Sequence, residues 1–266
     1  MIKLGSVPFI NAKPLTYAIE NNLIVHDFTV SLTPPAELSQ KLQKKEIDVG
    51  LIPVAELLQR NKYKVVPGIS ISSYGEVDSV ILITKPDIKD IKTVAIDKRS
   101  QSSTALLKII LEIFYGLTPE YVTKNINTRD YLEGVDGAMV IGNSGLRLRH
   151  APPSGYKMYD LGLIWTKETG LPFVYAVYAT NGNMELGNSI STLLESKTYG
   201  LNIVDKISRI ESVNLEISEE ICYKYLSERI NYDLGEEEIK GIIKYSELLR
   251  ELGQCEKINS LNIYSS

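Results

Sequence analysis

Gly5-Ser6-Val7-Pro8-Phe9-Ile10-Asn11-Ala12-Lys13-Pro14-Leu15 follows a short apolar strand at residues 2–4. A strand that stops at Gly-Ser and runs through two prolines into a helix makes a rigid mouth. Pro8 and Pro14 fix φ and remove two backbone donors. Between them, Asn11 carries a side chain that both donates and accepts hydrogen bonds. Open α/β sheets bind ligands at such turns, beyond the carboxyl ends of their strands. The same residues also suit a proline-shaped turn in which Asn11 bonds its own backbone. The spacing leaves both readings open.

Outward from this segment, strand and helix signals alternate. A helix opens at 14–20, a strand follows at 28–32, and a helix with Thr33 as N-cap runs over 34–43. A buried strand at 48–52, a helix at 53–59 and a strand at 64–71 complete a βαβαβ rhythm. That rhythm argues for a mostly parallel sheet with helices on its faces. The polar break Ser72-Ser73-Tyr74-Gly75-Glu76 then precedes a strand at 77–84. A second α/β set follows, with strands at 93–96 and 137–141, a helix at 102–114 and an aromatic strand at 173–179. Beyond Asn181, residues 186–195, 202–212, 218–226 and 236–252 show apolar residues at helical spacing.

The middle of the chain therefore reads as a small domain inserted into a larger one. Residues 1–84 with 180–266 form the expected large lobe, and 85–179 the inserted lobe. This is an α/β fold of two hinged lobes with ligand in the cleft, and hinge closure is its usual motion. A single doubly wound domain with a helical tail is the alternative.

Composition narrows the function. With 266 residues, 44% hydrophobic and 23% charged, the chain has the balance of an ordinary globular protein. A net charge of −4 makes no electrostatic case for nucleic acid. No apolar run reaches membrane-spanning length, so no membrane partner is expected. The N-terminus lacks a basic region ahead of an apolar one, which points to a cytoplasmic protein. Cys222 and Cys255 read as free thiols, and the histidines are His26 and His150. Neither a metal site nor a cofactor is expected from them.

Candidate site residues cluster at strand ends. Ser6 and Asn11 lie in the opening segment. Ser73 and Ser79 flank the polar break, and the direction in which Ser79 points stays open. Ser102 and Ser103 open an apolar helix after Asp97-Lys98-Arg99-Ser100-Gln101. Free amides and the positive end of a helix dipole make such a place an anion site; N-capping by Ser100 or Ser102 is the simpler use. Gly142 and Asn143 end the strand at 137–141, where glycine permits a tight turn or close approach to a ligand. Asp160 precedes Trp165, Phe173 and Tyr175, which read as packing residues. These groups are hydroxyls, amides and helix ends, suited to a small polyanionic ligand. Lys13, Arg99 or Arg147 could focus positive potential on it.

Several of these segments carry a resemblance. Phe9-x-Asn11-x-x-Pro14-Leu15, the run Glu46 to Pro53, Pro67-Gly68-Ile69-Ser70-Ile71-x-Ser73-x-Gly75-x-Val77-x-Ser79-Val80 and Ser100-x-Ser102-Ser103 resemble the chorismate dehydratases of the futalosine route to menaquinone. Asp160-Leu161-Gly162-x-x-Trp165, Thr169-Gly170-Leu171-Pro172-Phe173 and Tyr232-x-Leu234-Gly235 extend the match over nearly the whole chain. The resemblance implies a two-lobed fold of the periplasmic-binding-protein type (type II) used by an intracellular enzyme. It implies conversion of chorismate, a small dianion, to 3-[(1-carboxyvinyl)oxy]benzoate and water. It implies catalytic roles for Asn11 and Ser79 and a carboxylate seat at Ser102-Ser103. The chain departs from the family pattern at Asn143, usually Asp, and at Ser102, usually Thr. The first change removes a charge and puts an essential acid there in doubt.

No convincing His, Asp or Glu base sits in the matching motifs. Substrate assistance is therefore expected, with the enolpyruvyl carboxylate of chorismate taking the adjacent ring proton. Glu76, Asp78 and Asp160 are the alternative bases. Two rival functions remain: the related 1,4-dihydroxy-6-naphthoate synthase activity, and a non-catalytic small-anion binder.

Overall fold

Val49–Pro53 and Val80–Thr84 are buried along their whole length. Continuous apolar runs of this kind form strands covered on both faces, and each sits inside a different sheet. The computed structural model describes residues 1–60, 62–97, 100–125, 132–182 and 184–264. Among the described residues, ten strands form two five-stranded sheets. The first contains β1 (Ile2–Ser6), β2 (Phe28–Leu32), β3 (Val49–Pro53), β4 (Tyr63–Ser73) and β10 (Phe173–Asn181), in the order β2-β1-β3-β10-β4. The second contains β5 (Val80–Thr84), β6 (Thr93–Ile96), β7 (Glu120–Thr123), β8 (Gly137–Ile141) and β9 (Lys157–Asp160), in the order β7-β6-β8-β5-β9.

The two orders match position by position. Each sheet has three parallel strands, then one antiparallel strand brought in by a crossover, then an edge strand. The chain leaves the first sheet after Ser73 and returns to it at Phe173. The boundaries expected after residues 84 and 179 fall later than both exchanges. β5 pairs with β8 and β9, and β10 pairs with β3 and β4. An apolar strand carries no mark of which sheet it will join, so pairing decides the matter. The strands β7 and β9 carry no clear strand pattern in the sequence. Each is four residues long with mixed polarity, as edge strands commonly are.

Helices α1 (Lys13–Glu20), α2 (Pro35–Gln43) and α3 (Val54–Gln59) follow β1, β2 and β3. The N-cap of α2 is Pro34 rather than Thr33, whose N–H instead donates to Ser6 O at 2.9 Å. In the second lobe α4 (Gln101–Lys108) continues into a π-type segment at Ile109–Phe114, and α5 (Gly142–His150) starts where a turn was expected. Asp160 caps α6 (Leu161–Thr169) by accepting from Leu163 N, and Gly170 ends it at φ 70°. The C-terminal set is α7 (Ser189–Asn202), α8 (Val204–Leu215), α9 (Glu219–Lys224) with a π-type turn at Tyr225–Arg229, and α10 (Glu236–Glu251).

These last helices brace both lobes. Ser196 on α7 donates to Leu15 O, and Tyr245 on α10 donates to Ser102 O across the fold. Trp165, Phe173 and Tyr245 stack edge to face with centroids 5.0–6.0 Å apart, the arrangement aromatic rings prefer. One apolar core consequently runs from Leu4 in the first sheet to Leu111 in the second lobe.

Candidate active site

A cavity of about 630 Å³, mouth included, lies where the strand ends of the two sheets face each other. This is a size that suits a small organic ligand. Its floor is apolar, with Leu51, Ile71 and Ala176 from the first sheet. The polar groups come from three places.

The first is the turn after β1. Asn11 sits in a 3-10 turn, Ile10–Ala12, that leads into α1. Asn143 holds that turn from the opposite lobe: its Oδ1 accepts from Ile10 N at 3.1 Å. The Asn11 Oδ1 is buried and has no partner among the described residues.

The second is the crossover between the sheets. Val77 N and Asp78 N both donate to the Asp160 carboxylate, at 3.1 and 2.7 Å. Gly75 N donates to Thr166 Oγ1 at 2.8 Å. Asp78 takes φ 59°, a left-handed conformation that costs a non-glycine residue energy. Arg149 and Arg229 grip it from either side, at 3.3 and 2.8 Å, and both also reach Glu76. This clamp sets Ser79 against the cavity. Helix α5 packs so closely behind it that a Cβ at Gly145 would fall 2.3 Å from Ser79 O.

The third is the start of α4, where Ser100, Gln101, Ser102 and Ser103 line the cavity. The Ser100 side chain makes no capping bond. Ser102 Oγ accepts from Ala55 N of the opposite lobe at 3.1 Å, so it closes the other lobe's helix rather than capping its own. The first amides of α4 therefore have no side-chain cap, and the positive end of its dipole faces the cavity.

Of the sequence candidates, the fold brings Asn11, Ser79, Ser102, Ser103 and Gly142 together on the cavity lining. Gly142 has φ 61°, and a Cβ there would lie 3.2 Å from the Phe9 ring. Four candidates lie elsewhere. Ser6 is buried beside Tyr178 at the end of β1. Ser73 sits behind the wall, its Oγ 3.0 Å from the Tyr175 hydroxyl. Asn143 lines an adjoining pocket with Pro8 and Pro34. Asp160 is a scaffold acceptor with its oxygens committed to backbone amides. Burial pushes its pKa up, against the pull of its bonds from Leu163, Asp78 and Val77.

The alternative bases Glu76 and Asp78 are engaged with arginines and do not line the cavity. Lys13 pairs with Glu20 at 2.9 Å, and Arg147 donates to Leu215 O. Arg99 lies outside the described residues. Among the described lining residues the titratable side chain is Tyr175, whose pKa burial drives well above its ordinary value. It is a neutral phenol at physiological pH. The described residues contain no group of acids, histidines and cysteines that could hold a metal ion.

One functional neighbour went unread in the sequence. The Tyr225 hydroxyl donates to Ser79 Oγ at 2.8 Å. Tyr225 is one of 16 tyrosines, in a helical stretch 146 positions from Ser79. No local pattern joins the two.

Fold and cavity together define a two-lobed small-molecule-binding architecture of the periplasmic-binding-protein type. The chain belongs to the family described as Menaquinone biosynthesis, which matches residues 2–251. It is similar to proteins named chorismate dehydratase. The one from Thermus thermophilus is 26% identical over 262 residues, covering 92% of this chain and 94% of the relative. The one from Campylobacter jejuni is 26% identical over 179 residues, 66% of each chain. Among solved structures, protein AF1704 of Archaeoglobus fulgidus superposes with a TM-score of 0.77 at 18% identity, covering 95% of this chain and 97% of that one. The periplasmic aliphatic sulphonate-binding protein SsuA of Escherichia coli gives 0.66 at 15% identity, covering 100% and 94%. At these identities the structures establish the fold. No helix among the described residues is long and apolar enough to cross a membrane.

Proposed function

We propose that this protein is a chorismate dehydratase, a carbon–oxygen lyase that converts chorismate to 3-[(1-carboxyvinyl)oxy]benzoate and water in menaquinone biosynthesis. Its family and the names of its relatives support this reading. The observation that carries it into chemistry is the lining itself: neutral donors and acceptors, a helix start, and among the described residues no carboxylate or imidazole. Such a site binds and orients a dianion that supplies its own base.

The start of α4 seats one carboxylate with its amides and the Ser103 hydroxyl. The enolpyruvyl carboxylate takes the neighbouring ring proton. The electron pair of that C–H bond forms a new ring double bond as the ring hydroxyl departs, and the proton leaves with it as water. Aromatisation drives the step, so the protein has to orient the substrate, exclude water and stabilise the departing oxygen. Asn11 and Ser79 carry that role. We place the activity in the cytoplasm, without a cofactor. The lobes it works between meet at residues 74–79 and 161–172.

The test is direct. Incubation with chorismate should abolish the cyclohexadiene absorbance and yield the aromatic product by mass spectrometry. A thermal shift with chorismate that leaves the absorbance intact would make the protein a binder and overturn the reading. If Glu76→Gln abolishes turnover while binding survives, a protein base replaces substrate assistance.

A further inference from the structure

Tyr225 is buried, and its single hydroxyl proton goes to Ser79 Oγ at 2.8 Å. The Asn11 side chain adjoins the same phenol. The bond from Tyr225 fixes the direction in which Ser79 can donate. A serine hydroxyl has one proton to give. With its lone pair facing Tyr225, Ser79 must give that proton elsewhere, and no described protein group accepts it. Beside it, the Asn11 Oδ1 is a buried acceptor without a partner among the described residues. The cavity wall therefore presents one free donor, Ser79 Oγ–H, beside one free acceptor, Asn11 Oδ1.

An alcohol is the complement of that pair, because it accepts through its oxygen and donates through its proton. A carboxylate is not, since its oxygens would meet Oδ1 acceptor to acceptor. We propose that Tyr225 is a positioning residue that aims Ser79, beside the Asn11 acceptor, at the departing ring hydroxyl of the substrate, leaving both carboxylates to other parts of the cleft. This rests on the dehydratase reading and assigns the pair to one of the substrate's oxygens. As the C–O bond breaks, charge grows on the departing oxygen, and the bond from Ser79 strengthens. A donor aimed beforehand costs no reorganisation at that moment.

The fold holds Tyr225 at three points. The π-type turn that carries it also carries Arg229, which pairs with Asp78 and Glu76 next to Ser79. Ile230 N closes the turn on Tyr225 O at 3.2 Å. Just beyond, Asn231 and Ser72 exchange both backbone hydrogen bonds, at 2.8 and 2.9 Å, which ties the segment to the edge of β4.

Tyr225→Phe removes one oxygen and keeps the ring. It should fold like the parent by circular dichroism and lower kcat for chorismate about 10- to 100-fold, with KM within about threefold of the parent. Combined with Ser79→Ala, the loss should be smaller than the product of the two single losses, because the residues act as one unit. The product 3-[(1-carboxyvinyl)oxy]benzoate lacks the ring hydroxyl. Its affinity by calorimetry should stay within about twofold for Tyr225→Phe and for Ser79→Ala.

Turnover by Tyr225→Phe at the parent rate would overturn the inference and leave the dehydratase reading standing. So would additive losses, or a product affinity that falls as far as kcat. Should Tyr225→Phe fail to fold, the Ser79→Ala comparison of kcat against product affinity decides the assignment to the hydroxyl alone. A parent protein that leaves chorismate unchanged overturns both.

Discussion

The turn after β1 and the turn after β6 occupy the same place in two sheets of the same topology, yet they offer the ligand different chemistry. After β1 part of the backbone donor capacity is committed or absent. Ile10 N goes to Asn143, Ala12 N goes to Phe9 O, and Pro14 in the first turn of α1 has none. The polar side chain that this turn offers a ligand is an amide, Asn11. After β6 the reverse holds. Ser100 leaves α4 uncapped, and its first amides and two serines face the cavity. A neutral amide suits an uncharged or developing centre, whereas a free helix start suits a full negative charge. One topology, used twice, thus yields a wall that acts on the reaction and a wall that holds the substrate.

The largest test of this contrast removes the clamp that keeps the walls in register. Arg149→Ala with Arg229→Ala leaves the buried Asp78 carboxylate without its partners. Loss of stability of about 3–5 kcal/mol is expected in urea unfolding. Asn11→Ala comes next: kcat should fall about 10-fold with KM little changed, the worth of a hydrogen bond that holds the departing hydroxyl. Ser103→Ala should do the opposite, raising KM about tenfold with kcat nearly intact. If both variants moved the same parameter, the division of labour between the walls would fail.

A smaller effect is expected at the latch between the lobes. Asn143→Ala strands the Ile10 N–H and should cost about 1 kcal/mol, a fall of about 2–4 °C in Tm. Asn143→Asp keeps an acceptor and should behave like the parent. This is why the uncharged residue here is compatible with the site: the position accepts one backbone N–H, and a neutral oxygen does that as well as a charged one.

The smallest effect concerns pH. His150, at the end of α5, is held below its ordinary value of 6.5 chiefly by burial. Arg149 and Arg229 add to the depression, and Asp78 opposes it. The unfolded chain then takes up the proton first as pH falls. The stabilisation is present above 6.5 and is lost as pH drops through the folded value. The imidazole is only partly shielded and keeps contact with solvent, so the contribution should stay below about 1 kcal/mol. His150→Asn should flatten the loss of Tm as pH falls below 6.5; an unchanged slope would remove His150 from the account.

Much of this was legible in the chain. The largely apolar runs at 49–53 and 80–84 announce buried strands, and the proline-framed Asn11 announces a strand-end turn. The serines ahead of the apolar helix at 101–108 announce a helix start. Other parts were not legible. Asp160 reads in the sequence as an acid near a cleft, but its oxygens are taken by amides 82 and 83 positions earlier. Ser102 reads as a cap for its own helix, but it serves Ala55 in the other lobe. Each error has the same origin: a polar side chain fixes what bonds it can make, and only the fold fixes with whom.

The sequence by itself determined the alternation of strands and helices, the two-lobed plan and the neutral character of the cleft residues. Those follow from periodicity and residue type, which are local. Tertiary structure alone decided which sheet β5 and β10 join, which candidates face the ligand, and which way their protons point. The bond from Tyr225 to Ser79 spans 146 positions. It exists because two separately formed elements meet edge to edge, an event that no local stretch of the chain encodes.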